Sequence, residues 1–316
     1  MSVRAPVGEI AKATFDCCLG RGVCAISYVN NYVYYYMIFI ENKWGSLSTG
    51  STFDSINSKE VNNLKILLKK SKEEQNTIAQ ILSNADELIK QLDYLITKKK
   101  NIKEGSMQEL LTGKRRLEGF NEEWKSISLG KLFTVFTGKA KSKYVVEFGK
   151  YLIMDMGSVS SEGMNICEKQ TNFEGDFLQI GDLVMPKDDI GGGKIIGKTV
   201  IVDKNKKYVL GDHVYVLRIK NDKNNSKFLS YMINSFWINS DIHKKVTGSA
   251  QLGINRKTVE EQTVIIPTDI EEQIRITNII SDMDSEIEQL EIKKDKYLMI
   301  KNGMMQKLLT GEIRLT

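Results

Sequence analysis

From residue 73 to residue 102, apolar side chains recur at alternating intervals of three and four: Ile78, Ile81, Ala85, Leu88, Leu92 and Leu95. A helix brings residues at that spacing onto one face, so the segment predicts a long helix with a heptad seam. Ser71, with Glu74 three residues on, supplies a capping-box start. A second stretch, 271–298, carries Ile276, Ile279, Met283, Ile287, Leu290 and Tyr297 on a similar stripe. A helix of roughly 30 residues is about 45 Å long, and alone it would leave its stripe in water. Two in one chain predict an intramolecular antiparallel coiled coil rather than two helices each lying flat on its own domain.

Between these stretches the period changes. Strand-like runs are expected at Lys131–Phe136, Lys150–Met154, Asp182–Met185, Thr199–Val202 and His213–Ile219, with a helix at Ser226–Ile238. Tyr32–Ile40 is too short to span a membrane and is read as a buried segment. The fold class is therefore α+β: mixed domains joined by two long helices. The segments are 1–70 as a partial first domain, 71–117 as a central helix, 118–267 as a complete second domain and 268–316 as a C-terminal helix.

The chain also repeats itself. Residues 73–117 are answered without gaps about 200 positions later by 271–315. Glu73-Glu74-Gln75 matches Glu271-Glu272-Gln273, and Leu110-Leu111-Thr112-Gly113 matches Leu308-Leu309-Thr310-Gly311. Gly50-Ser51 and Ile56-Asn57 answer Gly248-Ser249 and Ile254-Asn255, Cys18–Val23 parallels Val209–Val214, and Tyr36-Met37-Ile38 parallels Tyr231-Met232-Ile233. Residues 1–70 thus match only the back of the second domain, leaving roughly 70–80 residues of it without a counterpart.

Composition narrows the chemistry. A net charge of +5 permits a nucleic-acid partner. Cys17, Cys18, Cys24 and Cys167 form no CxxC pair, and with His213 and His243 as the two histidines no zinc spacing arises. Reduced thiols, no signal core and no membrane-length apolar run lead to the expectation of a cytoplasmic protein without cofactor or metal. Residues 192–199 match GxxxxGK[ST], but a phosphate loop needs a helix after its lysine, and here Val200-Ile201-Val202 predicts a strand. With three separated prolines there is no NPPY-like loop for adenine methylation, and Asp188-Asp189 lacks a third carboxylate for nuclease chemistry, so the chain is read as non-catalytic.

The opening GFNEEWKSISLGKLFTVFTGKAKSKY of the second domain, the long helix ending in MQELLTG and the repetition of the whole arrangement resemble the DNA specificity subunit of a type I restriction–modification system. The segment SVRAPVGEI…DCCLGRGVCAI resembles the interior of such a subunit's first target-recognition domain. The resemblance implies that each domain reads one half of a split site in double-stranded DNA. It also implies that the helices set the spacing and bind methylation subunits, with restriction subunits joining through the complex. On that basis the interface residues are Ile78, Ile81, Leu88, Leu92 and Leu95 with Ile276, Ile279, Met283, Ile287 and Leu290. One complete reader per chain further leads to association of two chains into a homodimer that would select an interrupted palindrome. The competing expectation is a coiled-coil assembly scaffold that does not read DNA.

DNA readers need cations for phosphates and planar amides or guanidinium groups for base edges. Lys244, Lys245, Ser249, Gln251, Asn255, Arg256 and Lys257 offer both within one loop, whose counterpart at 49–59 carries Phe53 and Ser58 at the Gln251 and Arg256 positions. Lys139, Lys141 and Lys143 form a candidate phosphate clamp.

Overall fold

A computed structural model describes residues 1–41, 55–248 and 251–315. The chain divides into two compact units, Met1–Lys100 with Glu286–Thr316, and Asn101–Ser285.

In the first unit, α1 (Tyr32–Phe39) and α2 (Ser58–Asn62) precede α3 (Lys72–Leu110), which is 39 residues long. The apolar run at 32–40 is thus a helix, burying Tyr32, Val33, Tyr35 and Met37. These pack with Ile56, Ile78, Leu82, Met305, Leu308 and Leu309 into a small core. Each fully buried side chain of this kind contributes roughly 1.5–3 kcal/mol. The preceding segment is held by the isolated bridges Ser2↔Val23 and Arg4↔Ser55, while Phe15, Leu19 and Val29 stay exposed.

The second unit carries the larger sheets. β1 (Lys125–Ser128) leads through the one-turn α4 (Leu129–Leu132) into β2 (Phe133–Thr137). Next come β3 (Val145–Val146), β4 (Tyr151–Met154), β5 (Gln170–Thr171), β6 (Leu183–Pro186), β7 (Asp188–Asp189), β8 (Val200–Ile201), β9 (Tyr208–Leu210) and β10 (Val214–Ile219). The helices α5 (Ser226–Asn234) and α6 (Phe236–His243) follow, then β11 (Leu252–Gly253), α7 (Arg256–Glu261), β12 (Thr263–Ile266) and finally α8 (Ile270–Thr310), 41 residues long. One sheet runs β2-β10-β6-β8, a second β3-β5-β4-β9, and the pairs β1-β12 and β11-β7 stand apart. β10 is central: Val214, Val216 and Leu217 are fully buried, apolar on both faces, as a doubly covered strand requires. The helix expected over Ser226–Ile238 breaks at Ser235, whose extended backbone (ψ 148°) ends α5 and starts α6. Apolar periodicity alone does not register such a corner.

The long helices run antiparallel. In the first unit Asp86 pairs with Lys301 (2.5 Å), Asp93 with Lys294 (2.7 Å) and Lys100 with Glu291 (2.6 Å), one number rising as the other falls. In the second unit Lys103 meets Asp284 in the same sense. The seam differs by one position from the expected one. Ile78, Leu82, Ile89, Leu92 and Ile96 are buried, whereas Ile81 and Leu88 are half-buried and Leu95 is exposed. In α8, Ile276, Ile280 and Ile287 are buried, with Ile279, Met283 and Leu290 half-buried. The sequence carries apolar doublets at 81-82, 88-89 and 95-96, so two heptad registers fit the pattern equally, and packing selects the second member of each.

The repeat is kept in the contacts of each unit. Arg314 forks onto Glu74 (2.7 and 2.8 Å) in the first, and Arg116 forks onto Glu272 (2.7 and 2.9 Å) in the second. Gln75 donates to Lys69 O, and Gln273 to Pro267 O. Tyr35 donates to Asp86 (2.7 Å) and Tyr231 to Asp284 (2.6 Å), so Tyr231 is answered by Tyr35, not Tyr36. Burial and the neighbouring carboxylate push both phenols above their ordinary range, so each remains a donor. The two LLTG endings place Gly113 (φ +69°) and Gly311 (φ +85°) in the left-handed conformation that closes a helix.

Candidate nucleic-acid interface

In the second unit the strand directions gather several loops at one end of the sheet. β10 runs antiparallel to both β2 and β6, so the end of β2, the start of β10 and the end of β6 lie together. Thr137 Oγ1 donates to Val214 O (2.8 Å), Lys187 N to His213 O (3.0 Å) and Ile254 N to Lys187 O (2.9 Å). A side chain at Gly138 would strike the Gly211 carbonyl, which places the start of the 138–144 loop against the 211–213 turn. The two basic loops singled out in the sequence therefore depart from the same end, with the glycine-rich segment after β7.

The individual residues divide into available and engaged. Lys139 and Lys143 are exposed, the latter over the Tyr144 ring (4.9 Å). Lys141 is not available: it is 4% exposed, holds Asp176 at 2.7 Å and lies over the Phe173 ring. The alternation of three lysines suggested a clamp, but the middle one fastens its own loop. Lys244 is 73% exposed, its nearest carboxylate, Asp241, at 4.0 Å. Lys245 donates to Gln262 (2.6 Å) and Asp241 (3.2 Å), which is held below the usual carboxylate range by hydrogen bonds from Gln262 and Lys245. Gln251 is exposed; Ser249 lies outside the described residues, as does Phe53 of the counterpart loop.

Asn255 has a structural task. Its side chain caps α7, accepting from Thr258 N at 2.9 Å, and its counterpart Asn57 caps α2 in the first unit through a full capping box with Glu60. A cap of this kind contributes about 1 kcal/mol, and it uses the oxygen that base reading would need. Arg256 and Lys257 pair along α7 with Glu260 (2.7 Å) and Glu261 (3.7 Å), although Lys257 is 82% exposed.

The sequence offers His213 and Asp188 separately, and their pairing is what it does not announce. His213 Nδ1 lies 2.8 Å from Asp188 Oδ2, in a residue with φ +60° at the turn before β10. A histidine in the left-handed region is the signal that a structure shows and a sequence does not. The GKT match occupies the turn before β8, so a strand follows the lysine. Lys198 reaches Asn234 O (3.4 Å), and Thr199, fully buried, shares its hydroxyl with Ser230 and the Asn234 side chain. Among the described residues no group of three acidic, histidine or cysteine side chains could hold a metal ion, and no helix is long and apolar enough to cross a membrane.

The sequence matches the family described as Type I restriction modification DNA specificity domain over residues 1–103 and 121–295, and the chain belongs to that family. It is 26% identical over 301 residues to the type I restriction enzyme MjaVIII specificity subunit of Methanocaldococcus jannaschii, covering 90% of this chain and 70% of that protein. The fold is like that of the crystallised type I restriction–modification S subunit of M. genitalium, with a TM-score of 0.64 at 18% identity over 88% of this chain and 72% of that one. A chain of another solved type I system matches with a TM-score of 0.52 at 14% identity, over 90% and 71% of the two chains.

Proposed function

We propose that this chain is the sequence-reading subunit of a type I restriction–modification assembly, and that its second unit holds double-stranded DNA at the loop-bearing end of its sheet. The observation that carries this reading is the convergence of the 138–144, 187–194 and 211–213 loops, with Thr247 and Gly253, at one end of a rigid sheet. There exposed Lys139, Lys143, Lys194 and Lys244 can meet phosphates, and exposed Gln251 can meet a base edge. Rigid strands hold those loops, as discrimination between bases requires.

The paired helices are the surface on which methylation subunits assemble, with restriction subunits added through that complex in the cytoplasm. The chain supplies no chemistry of its own: it directs the catalytic subunits to a two-part site. Binding to random duplexes, followed by sequencing of the retained fraction, tests this. The expected result is a defined site whose affinity falls steeply with salt. Affinity without preference would make the chain a scaffold. Two chains associated through their helices would select an interrupted palindrome, and one chain an asymmetric site.

A further inference from the structure

The two units build one backbone frame around different side chains. In the second, Lys187 N donates to His213 O (3.0 Å), Ile254 N donates to Lys187 O (2.9 Å), Pro186 pairs with Val214, and Asp188 with Gly253. In the first, Val3 N donates to Gly22 O (2.9 Å), Ile56 N donates to Val3 O (3.0 Å), Ser2 pairs with Val23, and Arg4 with Ser55. Every contact of one set has its partner in the other. Arg4 therefore occupies the place of Asp188, Gly22 that of His213 and Ser55 that of Gly253.

The side chains in these places are reversed in chemistry. Asp188 is an acceptor joined to His213 at 2.8 Å, and its carboxylate lies so close over Gly253 that a Cβ there would come within 2.9 Å. Arg4 is an exposed donor whose stem passes Gly22, the Arg4 Cδ lying 4.0 Å from where a Cβ would stand. Among the described residues no carboxylate pairs with Arg4. Scaffold contacts have been kept and outward groups exchanged. His213 also keeps a side chain at a left-handed position, which persists only where the surroundings hold it.

We propose that this shared place is a base-reading position in each unit: Arg4 donates a two-pronged contact to a guanine edge, and Asp188, oriented by His213, accepts from the amino group of a cytosine. The chemistry of each group selects its base, since guanine presents O6 and N7 acceptors and cytosine an N4 donor in the major groove. This rests on the DNA-reading function above and adds that the first unit, with its small core, still contributes to recognition.

The test is site selection by the full chain and by the variants Arg4→Ala, Arg4→Lys, Asp188→Asn and His213→Gly, each checked for a retained cooperative melting transition. Arg4→Ala and Arg4→Lys should both lose preference at one or two base pairs in one half of the site, by about 5- to 150-fold, because a lysine cannot form the fork. Asp188→Asn and His213→Gly should change one position in the other half. Three results overturn the proposal: a selected site unchanged in every variant, a uniform loss on all duplexes with a salt slope lowered by about one unit for Arg4→Ala, which marks a phosphate contact, or full retention of preference by Arg4→Lys. If the parent itself selects no sequence, the DNA-reading function falls with it; an unaltered site in the variants sinks the base-reading position alone.

Discussion

The two units carry the same clamp in different surroundings. In the second, Glu272 is 1% exposed, takes both prongs of Arg116 and also accepts from Trp124 Nε1 at 3.2 Å, with the Trp124 ring against Gly113. In the first, Glu74 is 3% exposed, but its partner Arg314 is 60% exposed, and Lys69 takes the place against Gly311. Both carboxylates therefore need a cation, but one cation is enclosed by an aromatic ring and the other stands half in water. The repeat conserves what fastens the helix ends and varies what surrounds the fastening, just as it conserves the backbone frame at Arg4 and Asp188 and varies the outward group.

Breaking the clamps should expose that difference most strongly. Glu272→Ala strands Arg116 and the Trp124 N–H, and should cost about 3–5 kcal/mol by denaturant melting, with loss of structure in the second unit. Glu74→Ala should cost clearly less, because water can solvate Arg314. Equal losses would mean that enclosure by Trp124 adds nothing.

The helix seam gives the next effect. Ile89→Asp places a charge in the buried register and should cost more than about 3 kcal/mol, while Leu95→Asp should stay within about 1 kcal/mol. If Leu95→Asp is the more damaging, the register is the one expected from the sequence. That expectation failed only at the doublets. Helix existence and antiparallel sense followed from periodicity and duplication, but the helices reach 39 and 41 residues where the apolar stripes predict roughly 30, and choosing between Leu88 and Ile89 requires the partner helix. The same limit explains the candidate site. Lys141 and Lys143 look alike in sequence, and only burial beside Asp176 separates them. Asn255 satisfies the requirements of a base reader and of a helix cap, and the cap wins because α7 begins at the next residue. Ser235 interrupts an apolar period without a glycine or proline to announce it. Strands β1, β3, β5, β7, β9, β11 and β12 lie outside the expected runs: five are only two or three residues long, and β1 and β12 are held by pairing with each other across the sequence.

Binding should separate the lysines by a smaller margin. Lys139→Ala and Lys244→Ala should each weaken DNA binding on every duplex and lower the salt slope by about one unit, whereas Lys141→Ala should act on stability before affinity. The smallest effect is in acid. The hydrogen bond from Arg314 holds the Glu74 carboxyl below its ordinary 4.5. A lowered folded pKa stabilises the fold above the unfolded value and loses that contribution as pH falls through the folded one. The first unit should therefore loosen below about pH 4.5, with Glu74→Gln flattening that dependence in amide-exchange measurements.

In the reading proposed here, two units with one frame recognise two different half-sites. Sequencing the duplexes retained by the intact chain, at a salt concentration where nonspecific binding is lost, tests it directly. The expected result is an asymmetric two-part site, one half altered by Arg4→Ala and the other by Asp188→Asn. An interrupted palindrome unaffected by Arg4→Ala would contradict it, because identical halves require two copies of the second unit and no reader in the first.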